Sequence, residues 1–105
     1  MSVAILIEFK DPKRDELYIP LAPEGAYSSE WVPLAKQLGL GWLPLFQTGT
    51  SVNVEDLPTV MGEFQRLRDV LSEDRSRPAM VERLDFVLER LQGVDSQQVA
   101  EIFIG

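Results

Sequence analysis

Between Glu55 and Gln92 the apolar residues return at helical intervals. Leu57, Val60, Met61, Phe64, Leu67 and Leu71 fall at i, i+3, i+4, i+7 spacing, which predicts a helix over 56–71 with a single apolar stripe. Asp56 is placed to cap it, and Pro58 is harmless so early because its missing N–H would be unpaired anyway. Met80, Val81, Leu84, Val87, Leu88 and Leu91 give the stripe of a second helix over 78–91. Gly93 follows as a candidate left-handed C-terminal residue, with Val94 placed to fold back. The five polar residues Glu73-Asp74-Arg75-Ser76-Arg77 are too few to separate the two, so the helices are expected as antiparallel neighbours. Burying such side chains contributes roughly 1.5–3 kcal/mol each, which makes this hairpin the largest source of stabilisation that the pattern predicts.

The rest of the chain reads mostly at the period of a strand. Residues 3–9 are apolar on both alternating sets, as in a strand that is central or covered on both faces. The charged turn from Lys10 to Asp15, containing Pro12, leads to a second strand over 17–21, whose Pro20 favours an edge. After a loop at 22–27, a helix is expected over 30–38. Ser28 or Ser29 would cap it, Pro33 would lie in its first turn and Gly39 would end it. Trp42-Leu43-Pro44-Leu45-Phe46 reads as an edge or bulged strand, and 51–54 as a short strand pairing back on it. Asp95-Ser96-Gln97-Gln98 resembles a helix-capping turn. Glu101-Ile-Phe-Ile-Gly105 reads as a last strand that must be inserted in the sheet, since free termini fray. The order is β-β-α-β-β-α-α-β. This is an α+β fold in one domain spanning 1–105, a mostly antiparallel sheet covered on one face by helices that include an αα-hairpin.

Composition narrows the chemistry. The 105 residues include no cysteine and no histidine, which removes disulfides, thiolate nucleophiles, zinc–thiolate sites and every Ser-His or Cys-His arrangement. Net charge is −7 and the pI is near 4.5. Residues 55–105 hold 11 acidic against 6 basic side chains, so most of the excess lies there. Such a chain is repelled by nucleic-acid phosphates and by anionic membranes, and is drawn to basic proteins. No apolar run is long enough to span a membrane, and residues 1–9 lack the basic start of a signal peptide; a cytoplasmic location is expected.

The polar faces of the hairpin differ. Glu63 and Asp69 each have Arg66 three residues away, whereas Glu82, Asp85 and Glu89 form a row with no basic residue at i±3 or i±4. The plain reading of this row is a solvated face, with Arg66 or Arg75 as the candidate partners across the hairpin. The sharper one is an acidic surface for a basic partner. Tyr18, Tyr27, Trp31, Trp42 and Phe46 crowd the first half of the chain. Some belong to the core. An exposed group of Tyr27, Trp31, Trp42 and Phe46 would instead supply binding anchors.

Familiar catalytic and nucleotide motifs are absent. Gly39-Leu40-Gly41 begins like a dinucleotide fingerprint, but Pro44 stands at the third glycine and the run follows a helix. A DNA-binding helix would not carry Glu82, Asp85 and Glu89. Carboxylates at Glu8, Glu24 and Glu30, or Ser28 or Ser29 with Lys36, are the residues that could do hydrolytic chemistry, and nothing in their spacing links them. No metal, cofactor or nucleic acid is expected.

Small size, acidity, the lack of His and Cys, and an α+β pattern with tryptophan-bearing turns give the chain a look similar to small bacterial immunity proteins. The runs Trp31-Val-Pro-Leu-Ala-Lys-Gln-Leu-Gly-Leu40 and Glu101-Ile-Phe-Ile-Gly105 look like family signatures. The resemblance implies a non-catalytic protein that binds and blocks a toxin domain, often a basic nuclease, and it carries over no individual residue. The expected function is therefore protein binding without catalysis. The alternative is a structural subunit that dimerises through a strand bearing Trp42 and Phe46; a small hydrolase comes third.

Overall fold

The computed structural model describes residues 1–105 and has the α+β architecture expected from the pattern. Strands β1 (Ser2–Phe9), β2 (Leu17–Pro23), β3 (Thr50–Val52) and β4 (Val99–Ile104) form one antiparallel sheet in the order β2-β1-β4-β3. β1 and β2 make the expected hairpin. The last strand lies between β1 and β3, which explains how Ile102 and Ile104 come to be buried at that end of the chain.

The helical hairpin is α2 (Leu57–Glu73) and α3 (Pro78–Gln92). Leu57, Val60, Phe64, Leu67 and Leu71 of α2 are buried with Met80, Leu84, Val87, Leu88 and Leu91 of α3. They meet Val3, Ile5, Ile7, Ile19, Leu21, Ile102 and Ile104 from one face of the sheet in a single apolar cluster. No polar or charged residue is buried in it. The turn between the helices is tied by the Asp74 carboxylate, which accepts from the backbone N–H and the hydroxyl of Ser76 at 3.0 and 2.7 Å. These bonds hold the Asp74 carboxyl below its ordinary value. Asp56 stands at the start of α2 without a side-chain capping bond, and Gly93 keeps a negative φ of −80°, so the expected left-handed ending is not used there. It is used at Gly39, where φ is +73° and the N–H of Leu40 reaches the carbonyl of Ala35.

The structure also corrects two of the predicted elements. The helix expected over 30–38 begins earlier: α1 runs continuously through 24–37, with α-helical ends (Glu24–Ala26 and Val32–Gln37) around a π turn at Tyr27–Trp31. Pro33 follows that turn. Its missing N–H and its ring would disturb an α-helical ladder, and a widened turn beside it accommodates both. The strand expected at 42–46 is a 3-10 helix, Leu43–Gln47. Only Leu43 and Phe46 of it are buried, a spacing of three that suits a 3-10 turn. β3 therefore pairs with β4 and not with this segment, and the sheet has four strands where the sequence suggested five.

Candidate functional site

The aromatic residues proposed as binding anchors are mostly core. Tyr27, Trp31 and Phe46 are buried, and Trp42 is half-buried. Tyr27 and Trp31 stack at 5.4 Å between ring centroids because the π turn sets them on one side of α1. Phe46 lies 6.4 Å from Trp42 and 6.3 Å from Phe64 of α2, which anchors the 3-10 helix to the hairpin. The exposed Tyr27–Trp31–Trp42–Phe46 surface is thus overturned by packing. The edge strand offered as a dimer contact goes with it, since no strand exists there and Phe46 has no surface to give.

Two polar contacts fix this region. The Tyr27 hydroxyl donates to the carbonyl of Leu43 at 2.6 Å. Burial, with the Glu63 charge adding to it, pushes the phenol well above its ordinary value. Glu63 does not pair with Arg66. Its carboxylate accepts the backbone N–H of Trp42 at 2.9 and 3.1 Å and that of Leu43 at 3.2 Å, satisfying donors that open the 3-10 helix. The cap comes from α2, far away in sequence.

The acidic row lies on the outer side of α3, with Glu82, Asp85 and Glu89 all exposed. Neither Arg66 nor Arg75 reaches it. Arg68 does, with its Nε donating to Asp85 at 2.7 Å and Nη1 lying 3.7 Å from Asp69. The bond to Asp85 is the main reason the guanidinium is held above its ordinary value. The remaining ion pair of the chain is Arg77–Glu30 at 3.8 Å, so Glu82 and Glu89 have no cationic partner. Phe86 stands between them on the same helix, 41% exposed, with the Arg83 guanidinium 5.5 Å from its ring centroid. The sequence reading missed Phe86 because it took the apolar residues of α3 as one stripe. Its position, two residues from Leu84 and one from Val87, is off that stripe.

An open groove of about 440 Å³ lies between the end of β2, α1 and the start of α3. Trp31, Leu21, Ala22 and Met80 make its apolar floor, and Glu30 is its single carboxylate. Arg83 crosses its edge to the carbonyl of Pro20 at 3.5 Å. No group of three acidic side chains is close enough to hold a metal ion, and no helix is long and apolar enough to cross a membrane.

The face of the sheet turned away from the helices is also open. Tyr18 pairs with Leu6, Leu6 with Phe103 and Phe103 with Ser51, so these four residues form a row across all four strands. Tyr18 and Phe103 are 53% and 42% exposed. The neighbouring row sets Glu8 directly opposite Glu101. The alternation Glu101-Ile102-Phe103-Ile104 is the signal that could have placed Phe103 outside, since the two isoleucines claim the core face. Comparison with family models, with curated proteins and with solved structures finds no match for this chain.

Proposed function

We propose that this chain is a non-enzymatic protein-binding domain for a basic partner, of the kind that neutralises a toxin by covering it. The observation that supports this most directly is the outer face of α3. Glu82 and Glu89 are exposed and unpaired there, and an exposed aromatic ring, Phe86, stands between them. Unpaired rim carboxylates speed the approach of a cationic surface, and a central aromatic residue supplies apolar contact. The net charge of −7 acts in the same direction over longer range.

Affinity capture from the source cells, at low and at moderate salt, tests the reading. A basic protein should be retained by the chain and released by the double substitution Glu82→Lys, Glu89→Lys, with salt weakening the complex. Absence of any partner at either salt concentration, or retention that is indifferent to both lysines, overturns it.

A further inference from the structure

An antiparallel sheet packed on one side ordinarily turns polar residues to the water on the other. Here the open side is apolar along its middle. Leu6 of β1, half-buried, is flanked in register by the exposed rings of Tyr18 and Phe103, and Pro20 of β2 lies half-buried beside the buried Ala4. An exposed apolar patch of this kind, on a chain that buries a full core elsewhere, marks a contact surface.

Phe103 is held in place before any contact is made, and Tyr18 has a single exposed polar tether. The Phe103 ring lies over Gly49 and Gly105: a Cβ on Gly49 would come within 2.7 Å of its Cζ, and one on Gly105 within 2.9 Å of its Cε1. Only glycine at both positions lets the ring lie there. At the other end of the row the Tyr18 hydroxyl is 3.3 Å from that of Ser2. A ring fixed in advance loses little freedom on binding, which is what an interface anchor requires.

Charge then selects the occupant. Glu8 and Glu101 face each other across neighbouring strands, an arrangement that destabilises a sheet, and neither takes part in an ion pair. A cation laid between them relieves that repulsion. Aromatic rings on an open sheet can also stack nucleic-acid bases, but these two carboxylates would repel the phosphates. A second copy would bring another −7 of charge to the same place.

We propose that the uncovered face of the sheet docks a basic, partly apolar segment of another protein, with Tyr18 and Phe103 as its anchors and Glu8 and Glu101 as its counter-charge. The inference rests on the reading of the chain as a protein-binding domain, but it uses the side of the sheet away from the Glu82–Glu89 row.

The test titrates the full, isotope-labelled chain with a blocked peptide of alternating leucine and arginine, followed by amide chemical shifts. A leucine–glutamate peptide is the control. The arginine peptide should shift the amides of Leu6, Glu8, Tyr18, Glu101 and Phe103, and the glutamate peptide should not. Glu8→Gln with Glu101→Gln should weaken binding roughly tenfold. Tyr18→Ala should weaken it too, and serves as the second aromatic test should Phe103→Ala disturb the fold. Equal binding of both peptides overturns the inference. So do shifts confined to Glu82, Phe86 and Glu89, which would leave the protein-binding reading intact. Concentration-dependent shifts on this face without peptide would assign it to a second copy and overturn the inference as well.

Discussion

The carboxylate of Glu63 grips the backbone N–H of Trp42 with both oxygens, at 2.9 and 3.1 Å, across 21 residues of sequence. One side chain of the helical hairpin thereby fixes the start of the segment that carries Phe46 into the core. Glu63→Ala leaves the N–H groups of Trp42 and Leu43 without their partner in a half-buried place. Unfolding in urea should show a loss of about 1–3 kcal/mol. Glu63→Gln keeps an acceptor oxygen and should lose less.

Tyr27 gives the chain a defined response to alkali. Its phenol is held above its ordinary value of 10.0, chiefly by burial. Below that pH the folded and unfolded chains both keep the proton, and the contribution to stability is complete. As pH rises past about 10, the unfolded chain releases the proton while the folded chain retains it. The unfolded state then binds fewer protons, so stability falls, by up to about 1.4 kcal/mol per pH unit for this one group. Tyr27→Phe should remove that slope while lowering stability at neutral pH by about 1–2 kcal/mol, because the carbonyl of Leu43 loses its donor. Chemical denaturation of both proteins across the alkaline range measures the two effects separately.

The aromatic residues should divide sharply under alanine substitution. Phe46→Ala removes a fully buried ring in contact with Phe64 and should cost about 3–5 kcal/mol. Phe86→Ala removes an exposed one and should change stability by less than about 1 kcal/mol, its effect falling instead on partner capture. Equal effects in thermal melts would contradict the packing described for the 3-10 helix.

Three glycines should respond to alanine in opposite senses. Gly49 has φ +91° and no room for a Cβ beneath Phe103, so Gly49→Ala should destabilise by about 1–3 kcal/mol. Gly39 has φ +73° but open space around it, and its substitution should cost about 1 kcal/mol. Gly62 lies within α2 with nothing within 4 Å of a new Cβ, and alanine there should stabilise the helix by about 0.5–1 kcal/mol. Denaturation midpoints of the three variants order these effects.

The hairpin α2–α3 was legible because its stripes are long and their period is unambiguous, and β1, β2 and β4 because β-rich runs sit between clear turns. The segment at 42–46 misled because five residues with alternating bulk fit a strand and a 3-10 turn alike. What decided it was Glu63, whose reach to Trp42 no local pattern encodes. Pro33 misled in the same way. A proline argues for a helix start, and the alternative, a π turn that lets the helix run through it, depends on Tyr27 and Trp31 finding the core. At the candidate surfaces, the row Glu82, Asp85, Glu89 could be read from spacing. That Arg68 takes Asp85 out of it could not, because the pair joins two helices. The row Tyr18–Leu6–Phe103 depends on strand order, which brings residues from both ends of the sequence together.

That strand order also sets a timetable. β4 supplies the middle of the sheet, joining β3 on one side to β1 on the other. While the chain is being made, β1 and β2 can form their hairpin early, but β1 has an open edge and β3 has no neighbour until residues 99–104 leave the ribosome. At 5–20 residues per second, a rate typical of protein synthesis, that wait lasts for several seconds. During it the apolar side of β1, and the stripe of each helix once that helix is made, lack part of their cover. The sheet therefore cannot close until β4 has been made, and the chain is more open to aggregation while residues 53–98 are being added than once β4 is in place.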